Sequence, residues 1–146
     1  MPFDRLLNNV RSVINELENM VVESMMEVKE EIIDLNTSQL EVGKLSTGDT
    51  IEPEYVFDSY SKLKKSKGSK APFGVPDLKL EGDFYSGFET SKLSEGLELS
   101  SKDSKAPELE RKYSKDIYGL TDKNKSEAAE YIKPILINKI LNGIIK

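Results

Sequence analysis

The chain has no cysteine, no histidine and no tryptophan in its 146 residues. Without cysteine, disulfides and thiolate chemistry are excluded. Without histidine, the side chain that titrates nearest neutral pH and most often ligates transition metals is missing. No apolar run approaches the roughly 18–20 residues of a membrane-crossing helix. The N-terminus also lacks a basic segment followed by a hydrophobic stretch and a cleavage site. The expectation is a soluble protein made in a cytoplasm, with no membrane partner. Apolar residues are scarce as well, at 37% of the chain against roughly 45–50% in ordinary domains, while 32% are charged. A single domain over 1–146 is expected, with a thin core that completes its burial against other chains.

The net charge is −5, and it is unevenly spread. Residues 1–60 carry 13 acids and 4 bases, whereas residues 61–146 carry 13 acids and 17 bases. Opposite signs in the two parts suit head-to-tail contact between copies, because such an interface joins two different patches. A solvated acidic helix beside a lysine-rich loop would have the same composition.

Over residues 4–35, Leu6, Val10, Val13, Leu17, Val21, Met25, Val28, Ile32 and Leu35 recur every three or four positions. That period predicts one long, fairly straight α-helix of roughly 45 Å, with Asp4 as its N-cap. Its length predicts that part of it lies against a neighbouring subunit. Residues 36–79 are punctuated by glycine and proline and predict an extended loop, with one short element near Tyr55–Leu63. Lys62, Lys64, Lys65, Lys67 and Lys70 form a basic cluster within it. The cluster contains no arginine and little aromatic surface, so a solvated or acid-docking role is expected rather than nucleic-acid readout.

From residue 80 to 121 the period changes. Phe84, Ser86 and Phe88 alternate as on a strand, Leu97 and Leu99 as on a second, and Ser94–Gly96 supply a turn between them. Ala106–Tyr113 reads as a short helix with Pro107 in its first turn, and Asp116–Leu120 as a brief strand. Residues 122–146 predict a C-terminal helix capped by Thr121 or Asp122, kinked or divided at Pro134. The fold class expected is α+β: long N- and C-terminal helices packed on a small antiparallel sheet, with a long irregular loop.

Nothing in the sequence assembles a catalytic site. Nucleophile-elbow, P-loop, dinucleotide and histidine-based metal motifs are absent. Glu81 and Asp83, flanking Gly82, form the most compact acidic pair, but a Mg²⁺ site draws oxygen ligands from separate elements. No catalytic residue, metal ligand or cofactor is expected, and the protein is not expected to be an enzyme.

The second half resembles the small neck and tail-completion proteins of tailed bacteriophages, of the virion-morphogenesis type. Leu80-Glu81-Gly82-Asp83-Phe84-Tyr85-Ser86-Gly87-Phe88 stands where the family's hairpin begins, and Leu97-Glu98-Leu99-Ser100-Ser101 is similar to its return strand. Ser104-Lys105-Ala106-Pro107 and Tyr113 then lead to Ile117-Tyr118-Gly119-Leu120-Thr121 ahead of the last helix. The order agrees over about residues 75–142, with Glu81 where many members carry threonine. Upstream, Leu35–Leu40, Tyr55 and Lys67-Gly68 resemble related phage structural proteins more loosely.

The resemblance implies a non-catalytic ring component of the virion, in six or twelve copies, joining the portal or adaptor ring to the tail. Its partners would be copies of itself and the adjoining portal, adaptor and tail proteins. Nucleic acid would be met only as incidental contact with packaged DNA. Candidate interface residues are Val10, Val13, Leu17, Val21 and Met25 on the first helix, Lys62, Lys64, Lys65 and Lys67 on the loop, and Tyr118. The alternative is a non-virion adaptor or assembly chaperone that binds a partner through the N-terminal amphipathic helix.

Overall fold

The computed structural model describes residues 2–79 and 82–146. The N-terminal apolar period makes two helices in place of one, α1 (Phe3–Glu27) and α2 (Lys29–Glu41). Between them Val28 takes φ −112°, ψ 23°, and its N–H bonds back to Met25 and Met26. Val28, at the break, and Ile32, one turn on, are both buried beside Ala128. An unbroken apolar period gives no sign of the break. Pro2 occupies the N-cap position, and Asp4 falls in the first turn. There its charge complements the helix dipole without capping a backbone N–H.

α2 runs six residues into the segment expected to be loop, and α3 (Asp58–Ser66) replaces the short element expected near Tyr55–Leu63. The rest of 42–79 is irregular but closely bonded. Ile51 N–H donates to Gly43 O at 2.9 Å, Ser46 N–H to Asp116 O at 2.8 Å, and Tyr55 N–H to Gly74 O at 2.9 Å.

The first strand begins later than alternation suggested. Asp83–Ser86 form a helical turn, α4, after Gly82 at φ 88°. β1 (Phe88–Leu93) then pairs antiparallel with β2 (Gly96–Ser101), in a register running from Phe88 opposite Ser101 to Leu93 opposite Gly96. Phe84 and Phe88 therefore meet by a turn and not by a strand face, with ring centroids 5.2 Å apart. α5 (Ala106–Tyr113) forms as expected, with Pro107 in its first turn. The brief strand expected at Asp116–Leu120 is instead a 3₁₀ turn, Lys115–Ile117, followed by a bend at Tyr118 and Gly119.

α6 (Asp122–Ile145) is one helix, capped by Thr121 Oγ1 accepting from the Asn124 N–H. Pro134 lies inside it without dividing it. The fold is α+β, with long terminal helices and a two-stranded antiparallel sheet among the described residues. No helix of the described residues is long and apolar enough to cross a membrane.

Two buried clusters hold these elements. Leu40, Ile51, Val75, Leu78, Phe84 and Ile117 lie in the larger. Val28, Ile32 and Ala128 form the smaller, with Leu97, Leu99 and Ile132 packed against it. A polar pin joins α2 to the chain ahead of α6. Asn36, fully buried, donates to Ile117 O at 3.0 Å and accepts from the Gly119 N–H at 2.8 Å. Gln39 donates to Gly119 O at 3.1 Å and accepts from the Thr121 N–H at 2.9 Å.

Candidate interaction surfaces

α1 and α6 pack antiparallel into a two-helix arm. At its tip, Arg5 donates to Lys146 O at 3.1 Å and Asn9 to Ile144 O at 2.9 Å. Nearer the body, Lys139 meets Glu27 at 3.0 Å. Gly143 permits the closest approach, where a Cβ would stand 2.6 Å from Val13 Cγ2.

This packing uses only part of the apolar surface. At about 100° per residue, the α1 contact line runs through Asn9, Val13 and Glu27, and Phe3, Leu7 and Ile14 lie roughly a third of a turn from it. On α6 the line runs through Lys139 and Gly143, which puts Ile137, Leu141 and Ile145 on the side turned away from α1. Phe3 is 74%, Ile14 64% and Ile145 65% exposed, with Leu7, Ile137 and Leu141 also open to solvent. With about 150–200 Å² per large side chain, these six expose on the order of 600 Å². The six fall in two separate stripes of roughly 300 Å² each, one on α1 and one on α6, and apolar patches of that size are often functional.

A second apolar point lies at the far end of the long helices. Val56 is 87% and Phe57 71% exposed, directly ahead of α3. The segment carrying them is held by the Tyr55–Gly74 bond and by an edge-on Tyr55–Tyr60 pair with centroids 4.7 Å apart. The nearby body end of α2 is marked by Glu41, which pairs with Lys70 and Lys79.

Of the apolar series the sequence singled out on α1, Leu6 and Leu17 are exposed. Val13 is buried under α6, Val10 and Val21 are half-buried, and Met25 packs against the smaller core. The stripe that periodicity detects is mostly spent within the chain. The open face is displaced around the helix, toward Phe3, Leu7 and Ile14.

The lysine cluster is likewise divided. Lys64 is nearly buried, bonded to Asp77 at 2.7 Å and to Lys79 O at 2.7 Å. Lys65 donates to Ala71 O at 2.5 Å, while Lys62 and Lys67 are exposed. A cleft of about 660 Å³ beside α3 is lined by Lys64, Lys67, Lys70 and Lys79 and by two acids, Asp77 pairing with Lys64 and Glu41 with Lys70 and Lys79.

Asp77 also governs two tyrosines. Burial and its charge push the Tyr55 and Tyr85 phenols well above their ordinary pKa, and the Tyr85 hydroxyl donates to Asp77 O.

Tyr118 is half-buried and packs on Phe84 and Phe88. Its hydroxyl is buried without a well-formed hydrogen bond. Burial, then the nearby Glu110 carboxylate, push its pKa up to about 12.

Glu81 lies outside the described residues, and Asp83 faces Lys105 at 3.9 Å. Among the described residues, no group of three or more acidic side chains is placed to hold a metal ion. Set against family models, characterised proteins and solved structures, the chain matches none.

Proposed function

We propose that this protein is a structural assembly component, a ring-forming protein of the neck or upper tail of a tailed bacteriophage that joins the portal or adaptor layer to the tail. The observation that carries the reading is the apolar surface of the α1–α6 arm, left uncovered by the protein's own fold. Two such stripes suit contact with a partner, since apolar patches of a few hundred Å² are often functional. The exposed Val56–Phe57 pair, ahead of α3, supplies a separate anchor for an adjoining layer. One surface then serves neighbours within the ring and the other serves the next layer. The phage assignment itself rests on the sequence resemblance over about residues 75–142.

The test is quantitative peptide mass spectrometry of phage-like particles purified from the source culture. Recovery at a fixed ratio to the portal subunit, one-half or one, supports a ring component. Absence from intact particles that contain portal and tail proteins overturns the neck reading and favours an assembly adaptor.

A further inference from the structure

We infer that the arm binds a second copy of this chain head-to-tail, the exposed α1 stripe of one copy packing on the outward α6 stripe of the next. The inference rests on the ring reading above and names the surfaces that would close the ring.

Three observations support it. The two stripes point in different directions from the α1–α6 contact line, so each arm offers one apolar surface on either side of itself. That is the arrangement a heterologous contact requires, because each copy must present two unlike patches. Second, the two helices differ in net charge. α1 carries five acids and two bases, whereas the chain from Tyr131 to Lys146 carries Lys133, Lys139 and Lys146 and no acid. Within one arm Lys139 already holds Glu27 at 3.0 Å. Between arms, Lys133 borders the outward α6 stripe, and Asp4 and Glu18, with Arg11, border the α1 stripe. Third, one α1 stripe and one α6 stripe supply on the order of 600 Å² of apolar surface. That is about half of a smaller standard interface, the remainder being polar rim.

The cysteine-free chain allows a clean trapping test. Ile14→Cys and Leu141→Cys are prepared on separate chains, mixed and oxidised, with Ser12→Cys, on a different face of α1, in place of Ile14→Cys as the control. Circular dichroism and the melting temperature check that each variant folds. The expected result is a disulfide joining position 14 of one chain to position 141 of another, several-fold more abundant than either homodimer and than the control pair. A dominant disulfide between two copies of the Ile14→Cys chain would show a two-fold contact and overturn the head-to-tail arrangement. Crosslinking no greater than in the control would overturn self-association through the arm. Both outcomes are read on purified chain, so they are separate from the particle measurement that decides the neck assignment.

Discussion

Gly143 on α6 stands so close to Val13 on α1 that a methyl group at 143 would lie 2.6 Å from Val13 Cγ2. The two helices approach at that point because one of them has no side chain there. Valine at 13 cannot swing aside readily, since β-branched residues in helices keep one strongly preferred rotamer. The arm that carries the proposed contact is therefore set by a single small residue.

Gly143→Ala tests this relationship. Alanine gains about 1 kcal/mol of helix propensity over glycine, but overpacking costs about 1–3 kcal/mol. A net destabilisation of about 1 kcal/mol or more is expected in urea unfolding. Val13→Ala combined with Gly143→Ala should recover part of the overpacking loss. Equal stability of Gly143→Ala and the parent would mean that the helices separate there without cost.

The Lys64–Asp77 pair gives a second test. Both side chains are nearly buried, so Lys64→Met leaves the Asp77 carboxylate without its counter-charge. Removing one partner of such a pair typically costs about 3–5 kcal/mol. Lys64→Met with Asp77→Asn should lose less than Lys64→Met alone, by denaturant titration. Simple additivity of the two single changes would show that the pair is uncoupled.

Asn36 makes a third prediction. Asn36→Ala unpairs the Ile117 carbonyl and the Gly119 N–H in a buried setting, at about 1–3 kcal/mol for each group left unsatisfied. Hydrogen exchange at the Gly119 amide should accelerate more than global destabilisation explains. Unchanged exchange there would remove Asn36 from the pin between α2 and α6.

The tyrosines predict alkaline behaviour. Tyr118 is raised to about 12, and Tyr55 and Tyr85 are raised as well, so in each the fold favours the neutral phenol. Stability from these groups is complete below the ordinary tyrosine pKa near 10 and is lost as pH rises from there through the raised values. Absorbance of tyrosinate should show part of the tyrosine titration delayed, ending together with loss of helical dichroism. Tyr118→Phe should remove one delayed group with little or no loss of stability, because the hydroxyl it deletes has no well-formed hydrogen bond.

The sequence by itself determined the elements whose signals are local. α5 and α6 were legible in capping residues and apolar spacing, and the second strand in the alternation of Leu97 and Leu99, because propensity and burial agree there. The Phe84–Phe88 alternation misled, since spacing alone cannot distinguish a strand from a helical turn released by Gly82 at φ 88°. α1 was legible as an apolar period, but a period says which residues share a face and not what covers it. Tertiary structure decided that α6 takes Val13, that Val28 and Ile32 pack with Ala128, and that Lys64 is drawn in against Asp77. It also decided which apolar residues stay open, and so moved the candidate contact to Phe3, Leu7 and Ile14 and to the outer side of α6. Those outcomes depend on pairs far apart in sequence, such as Val13 with Gly143, and no local pattern records such pairs.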